Sequence, residues 1–266
     1  MTRGCSGALP GPRLVISGVQ RIAVLQALYL GDFLCSVPAM RALKHRFPSA
    51  EITLMGLPWV QSILGRYKYV DRFLEFPGYW GLEGVPWSPE RTTRFIREAR
   101  AYRYDVAIQM HGDGRLSNGF VALLGSRASI GYGLHIPGRR RRLDIELDAA
   151  GYQHEISRWL RLVRVLGADG SSELEFPVLP ADRLEAVVAM AGCGIDPERR
   201  VVAVHPGSRD PKKRWPAERF RRAAEWLAAE LGAQVVITGS RSELELANRI
   251  ARGMDGSVFV AAGRTS

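Results

Sequence analysis

The chain has 266 residues, 46% of them hydrophobic and 24% charged. That composition excludes a disordered or fibrous protein and is enough for two modest domains. No apolar run approaches the ~20 residues of a membrane-spanning helix, and the first twenty residues lack the apolar core of a secretory signal. The net charge of +10 suits nucleic acid, an anionic membrane surface or an anionic substrate, without choosing among them. Three widely spaced cysteines, Cys5, Cys35 and Cys193, form no CxxC pair. They argue against a zinc site or a disulfide framework and fit a reducing compartment.

Residues 1–21, with Gly4, Gly7, Pro10, Gly11 and Pro12, read as a disordered extension. A buried strand follows over 22–28. A helix then carries Val37, Met40, Leu43 and Phe47 on one face, with Ser36 expected at its N-cap, Pro38 in its first turn and Pro48 stopping it. Strands are expected over 51–55, 72–76, 104–110 and 128–131, and helices over 91–102, after the Gly-rich turn through Leu123, and over 151–167. Alternation of this kind implies βαβ crossovers and a parallel sheet. The polar stretch 168–180 sets an expected boundary, giving a first domain over 22–170 and a second over 171–266. The second domain repeats the rhythm, with strands over 201–204, 234–238 and 257–261 and helices over 217–231 and 242–252. Three strands are fewer than a doubly wound domain needs, so this domain is expected to be incomplete.

The most informative stretch is Val201-Val-Ala-Val-His205-Pro-Gly207-Ser208, followed by Lys212-Lys213-Arg214-Trp215-Pro216. An apolar strand running into a Gly/Ser turn, cations and a helix is a phosphate seat. Backbone N–H groups and the helix dipole face the anion, and a lysine neutralises it. A solvated charged turn with Trp215 as packing anchor is the plainer alternative. Leu30-Gly31-Asp32 lies at the carboxyl end of the first strand, where open α/β sheets place ligands. Gly31 permits close approach, and Asp32 suits either a general base or a helix cap. His111, Arg115 and Asn118 lie in a second loop at a strand's carboxyl end, between glycines. Past the 234–238 strand come Gly239 and Glu243. Ser242 and Glu245 match a capping box, which leaves Glu243 to accept hydrogen bonds from ribose hydroxyls. The run Arg139–Arg142 suits a solvated loop or a contact with anionic headgroups or an anionic acceptor. No residues stand at metal-ligand spacing, so no metal site and no cofactor are expected. The aromatic–basic interleaving of a single-strand binder is absent, so nucleic acid is not an expected partner.

Together these features resemble glycosyltransferase family 9, the ADP-heptose:lipopolysaccharide heptosyltransferases. The resemblance runs through Leu30-Gly31-Asp32 into Val37-Pro38-Ala39-Met40, then Phe47-Pro48 and Glu51-Ile52. It continues through Tyr104-Asp105-Val106-Ala107-Ile108-Gln109 with the His-Gly loop, and His154-Glu155 opening a helix. It ends with His205-Pro206-Gly207-Ser208, Lys213-Arg214-Trp215-Pro216, Thr238-Gly239 with Glu243, and Ala262-Gly263-Arg264-Thr265-Ser266. The resemblance implies two Rossmann-like domains in the GT-B arrangement, the acceptor held by the first and the nucleotide-sugar donor by the second. By the same resemblance Asp32 matches the catalytic base, Lys213 with Ser208 and Gly207 the donor phosphate contacts, and Glu243 with Gly239 the ribose side. Gly31, His111, Arg115 and Asn118 fall to the acceptor. The family's next element, an Asp-(Ser/Thr)-Gly-Pro loop, is expected beyond Ser266, so the chain is expected to be C-terminally truncated.

The implied activity is inverting transfer of a sugar, heptose from ADP-heptose, to a lipopolysaccharide core or related glycan. The implied enzyme is a cytoplasmic monomer, peripheral at the inner face of the cytoplasmic membrane. Two other readings are a nucleotide-sugar epimerase or hydrolase on the same scaffold, and a non-catalytic basic module binding polyanions or membrane.

Overall fold

The structure is a computed structural model and describes residues 12–134, 138, 140–149, 151, 153–208, 210–254 and 256–264. The chain forms two compact units divided between Pro177 and Val178.

The first unit is built on a six-stranded parallel sheet of order β3-β2-β1-β4-β5-β6. Its strands are β1 (Arg21–Leu25), β2 (Glu51–Gly56), β3 (Arg72–Glu75), β4 (Val106–Gln109), β5 (Ala128–Gly133) and β6 (Ile145–Asp148). Its helices are α1 (Leu30–Arg46), the single turn α2 (Gln61–Leu64), α3 (Pro89–Ala101), α4 (Ser117–Leu123) and α5 (Glu155–Arg164). Residues alternate between the faces of the buried strands, as strand geometry requires. Ile22 and Val24 pack with Phe33, Val37, Met40 and Trp159 under α1 and α5. Ala23 and Leu25 pack with Phe76, Ala99 and Phe120 under α3 and α4. Burial on both faces explains why β1 and β4 read as unbroken apolar runs.

β1 pairs in parallel with β2 on one side, Leu25 opposite Met55, and with β4 on the other, Leu25 opposite Gln109. The strand order therefore reverses at β1, and the crevice beyond its carboxyl end is the switch point of the sheet.

The second unit is a three-stranded parallel sheet of order β7-β8-β9, with β7 (Val201–Val204), β8 (Gln234–Ile237) and β9 (Val258–Val260). Its helices are α6 (Pro180–Gly192), α7 (Ala217–Leu231) and α8 (Leu244–Ala251). Its core is small: Ile237, Ala247, Ile250 and Ala262 on one face, and Ile195, Val236 and Ala261 on the other.

Several local expectations are corrected. α1 begins at Leu30, so Ser36 and Pro38 stand inside it. The Ser36 hydroxyl donates to the carbonyl of Phe33 at 2.7 Å instead of capping the helix. Burial of Phe33 on the core face extends the helix ahead of its proline and overrides the first-turn preference. β6 and α2 were not anticipated, being too short to show periodicity. Residues 1–11 lie outside the described residues, but 12–21 are held in place: Leu14 N–H donates to Val165 O at 2.8 Å, and Leu14, Ile16 and Val19 pack on the core. Residues 171–177, grouped by sequence with the second domain, are bound to the first unit. Arg41 pairs with Glu175 at 2.9 Å and donates to the carbonyls of Ser171 and Glu173. The Tyr67 hydroxyl donates to Glu175 O and that of Tyr69 to the Glu175 carboxylate.

The amino edge of the first sheet is fastened by Asp105. Its carboxylate accepts from Gln20 N–H at 2.8 Å, Arg21 N–H at 3.0 Å and Arg127 Nη1 at 2.8 Å. Burial would raise its pKa, but the hydrogen bonds from Gln20, Arg127 and Arg21 outweigh that and hold it below the ordinary value. A depressed folded pKa contributes stability above the unfolded carboxylate value, about 3.9, and loses it as pH falls through the folded value. Asp105→Asn should therefore lower unfolding free energy by about 1–3 kcal/mol at neutral pH. The deficit should shrink below about pH 4, measured by urea denaturation across pH.

Candidate active site

At the carboxyl edge of the first sheet, three connections converge: the β1–α1 turn, the β4–α4 loop and the start of α5. Asp32 occupies the first turn of α1 and is half-buried. It does not cap the helix, since the N-cap position falls at Tyr29. Among the described residues its carboxylate makes no hydrogen bond or ion pair. Burial, then the charges of Asp32 and Glu155, raise the pKa of the Cys35 thiol one turn along α1, which places the Glu155 end of α5 beside the Asp32 end of α1. A carboxylate standing at a helix N-terminus, half open to solvent and spared from structural pairing, can accept a proton from an incoming hydroxyl.

The β4–α4 loop is ordered from within. The Gln109 amide donates to His111 O and, at 2.8 Å, to Ser117 Oγ; Ser117 Oγ in turn donates to His111 O at 2.7 Å. His111 is buried against Phe76, with ring centroids 6.3 Å apart. Asn118 is buried too, its amide donating to Tyr132 O at 2.7 Å and to Glu146 at 3.1 Å. Arg115 is exposed and paired with Asp113 at 2.6 Å. Of the four acceptor residues expected from sequence, Gly31 and Arg115 thus lie at the surface, whereas His111 and Asn118 support the loop from beneath. Gln26 at the end of β1, His111 Nδ1 and Asn118 Oδ1 are buried polar groups with no partner among the described residues. Orphaned polar atoms of this kind gather where ligands or ordered water complete a network.

Arg158 of α5 was missed by sequence reading. Its guanidinium donates to Gly112 O and Glu155 and stacks over the Tyr132 and Trp159 rings at 4.6 and 4.8 Å. It ties α5 to the β4–α4 loop. The signal available was its spacing: His154, Glu155 and Arg158 share one helical face. The Arg139–Arg142 run is also divided. Arg139 lies outside the described residues. Arg142 is exposed, and its backbone N–H donates to Glu146 at 2.9 Å. Arg140 and Arg141 line a groove of about 510 Å³ with Arg161.

In the second unit, the turns after β7 and β8 meet over one carboxylate. Glu243 Oε2 accepts from Ser240 N–H and Ser240 Oγ, both at 2.8 Å. The capping box is therefore Ser240–Glu243, two residues earlier than Ser242–Glu245, because a short 3-10 turn over Arg241–Glu243 precedes α8. Those Ser240 hydrogen bonds, with the nearby charges of His205 and Arg214, overcome burial and lower the Glu243 pKa. Its Oε1 lies so close to Gly207 that a Cβ there would overlap it, which explains the glycine. Gly239 approaches the same carboxylate, its Cβ position 3.2 Å from Oε2. His205 Nδ1 meets Thr238 Oγ1 at 3.2 Å, closing the two turns together.

α7 starts at Ala217, where the sequence places it, and an unanticipated 3-10 turn over Pro211–Lys213 lies between it and the Gly207–Ser208 turn. Asp210 caps that turn by accepting from Lys212 N–H at 2.9 Å, and Arg214 Nε donates to Ser208 O at 2.7 Å. Lys212 and Lys213 are exposed on the turn. Trp215 meets Phe220 edge-on at 5.3 Å, as a packing anchor would.

Burial lowers the pKa of His111 to about 4, so its imidazole is neutral at pH 7. The unfolded chain takes up this proton near pH 6.5 and the folded chain does not. Stability present above that pH is therefore lost progressively as pH falls toward 4, by about 3 kcal/mol. His111→Gln should flatten that decline in denaturation curves measured between about pH 7 and 4.

The family model described as glycosyltransferase family 9 (heptosyltransferase) matches residues 92–266. Among curated proteins, the chain is 28% identical over 248 residues to lipopolysaccharide heptosyltransferase 2 of Salmonella typhimurium, covering 86% of this chain and 66% of that protein. It is 27% identical over 242 residues to the Escherichia coli protein of the same name, with the same coverage. The chain thus spans about two thirds of the length of these relatives. Among solved structures, it superposes on a family 9 glycosyl transferase from Veillonella parvula with a TM-score of 0.73 at 22% identity, covering 92% of this chain and 69% of the other. It superposes on Escherichia coli ADP-heptose lps heptosyltransferase II with a TM-score of 0.65 at 25% identity, covering 92% and 73%. The chain belongs to glycosyltransferase family 9, the heptosyltransferase family.

Proposed function

We propose that this chain carries an inverting glycosyltransferase activity, moving heptose from ADP-heptose to a sugar hydroxyl of a lipopolysaccharide core. The observation that carries the reading is Asp32, an unpaired carboxylate in the first turn of α1 beside the switch point of the sheet, in a chain related to proteins named lipopolysaccharide heptosyltransferase 2.

Asp32 takes the proton of the acceptor hydroxyl as its oxygen attacks the donor's anomeric carbon. The bond from that carbon to the diphosphate oxygen breaks on the opposite face, and the electron pair leaves with the nucleoside diphosphate. Lys213, on its capped 3-10 turn, and the backbone at Gly207 and Ser208 bear the charge that develops there. Glu243 keeps Oε2 on Ser240 and offers Oε1 to the ribose hydroxyls of the donor, beside Gly207 and Gly239. On the acceptor side, Gly31 and Arg115 make direct contact, while His111 and Asn118 hold the loop. The enzyme works as a cytoplasmic monomer at the inner face of the membrane.

Asp32→Ala should lower kcat by roughly 10²–10⁴ while the donor Kd moves less than about twofold. Product formation from ADP-heptose and a core acceptor, with donor binding by calorimetry, measures both. Undiminished kcat in Asp32→Ala would remove the base assignment, and donor consumption without an acceptor would mark a hydrolase. Lys213→Ala should weaken donor binding by roughly 10–100-fold, as loss of a charge-assisted phosphate contact requires. An unchanged Kd would exclude that role.

A further inference from the structure

The connection from β3 to α3 was absorbed by none of the motifs above, yet it is held rigidly. Arg91, in the first turn of α3, donates through Nε to Pro77 O at 2.7 Å and through Nη2 to Pro86 O. Thr92 Oγ1 donates to Gly78 O at 2.9 Å. The arms of the loop touch: a Cβ on Gly78, whose φ is +83°, would stand 2.8 Å from Pro86 O. Tyr79, Leu82 and Val85 pack inward on the core, with the Tyr79 ring 5.5 Å from Phe120. Gly84, at φ +103°, seats the loop on the β1–α1 turn. Its Cβ position is 2.9 Å from Leu57 and 3.7 Å from Ala27 O.

Two aromatic side chains face outward from this closed loop. Trp80 is 64% exposed and Trp87 49% exposed. Single exposed apolar residues need no explanation. Two tryptophans seven positions apart in sequence, on a loop fastened at both ends and resting on the turn that leads to Asp32, do. Between Phe76 and Ser88 the sequence has no Lys or Arg and one acidic residue, Glu83. An anionic lipid surface calls for free cations beside the aromatic rings; this loop has none in its sequence, and the neighbouring Arg91 guanidinium is engaged by the carbonyls of Pro77 and Pro86. A flat indole does match the apolar C–H face of a pyranose, giving large contact area at little conformational cost.

We propose that Trp80 and Trp87 form a stacking platform for sugar rings of the acceptor glycan, recognising their uncharged faces rather than their phosphates. The proposal rests on the glycosyltransferase reading for the identity of the glycan.

The test uses the whole chain labelled with 15N-tryptophan and titrated with lipid-free lipopolysaccharide core oligosaccharide from which phosphates have been removed. The indole N–H signals of Trp80 and Trp87 should shift, while that of Trp226, 57% exposed on α7, should stay. Trp80→Ala and Trp87→Ala should each raise the oligosaccharide Kd roughly fivefold, and Trp→Phe at either position should restore most of it. Static Trp80 and Trp87 signals, or equal shifts at Trp226, would overturn the proposal. So would tryptophan-dependent binding to phosphatidylglycerol vesicles without an oligosaccharide response. Tryptophan-dependent glycan binding without sugar transfer would keep the platform and remove the transferase reading. Transfer with an unchanged acceptor KM in both alanine variants would do the reverse.

Discussion

Everything at the candidate site depends on the parallel pairing of β1 between β2 and β4. Parallel strands deliver every following connection to the same edge of the sheet. The β1–α1 turn, the β3–α3 loop and the β4–α4 loop therefore emerge side by side although they lie up to about 90 residues apart in sequence. Reversal of strand order at β1 opens a crevice there that no crossover helix fills. Asp105 defends this arrangement from the opposite edge, joining the entry to β1, the start of β4 and the Arg127 side of β5 through one carboxylate. A register slip at β1 would move Asp32 and its surroundings together and turn its apolar set to the wrong face.

The sequence made much of this legible because the central strands of the first sheet are buried on both faces. Unbroken apolar runs such as 22–25, 106–108 and 201–204 have few other readings. The helix α7 has a clear apolar stripe, and its expected span matches the structure residue for residue. The errors arose where tertiary contacts outrank local preference. Pro38 suggests a helix start, but burial of Phe33 and Val37 carries α1 through it. Ser242 and Glu245 fit the capping-box spacing as well as Ser240 and Glu243 do. Only the 3-10 turn, invisible to a 3.6-residue period, decides between them. Asn118 and His111 show a related limit. Sequence placed His111 correctly in a loop at a strand end, but Asn118 lies in the first turn of α4, and depth below the surface is a property of packing. The clamp on residues 171–177 was hidden for the same reason, because a polar stretch looks like a linker until Arg41, Tyr67 and Tyr69 are seen to hold it.

At the turns of the second unit, glycines act by what they leave room for. Gly207 does not need a positive φ; its work is to let the Glu243 carboxylate lie against the backbone, so that the turns after β7 and β8 share one charged group. That sharing makes Glu243 a cap and, in the proposed reading, a ligand group as well. Ser240 fixes Oε2 and the orientation of the carboxylate, which leaves Oε1 preorganised. A carboxylate already held by two hydrogen bonds loses little freedom when it accepts more, so binding costs less than it would with a mobile side chain.

The loops at the carboxyl edge of the first sheet mix neutral and charged groups: a His111 imidazole kept uncharged by burial, the buried amides of Gln26 and Asn118 and a β3–α3 loop without Lys or Arg, alongside the charged Glu155, Arg158 and Arg115. The turn after β7 carries Lys212, Lys213 and Arg214 in sequence. A general base works best where no cation competes for its charge, whereas a departing diphosphate is stabilised by fixed cations. A cationic ring at His111 would lower the basicity that the proposed first step needs. Burial against Phe76 keeps that ring from acquiring charge as the pH falls toward 5.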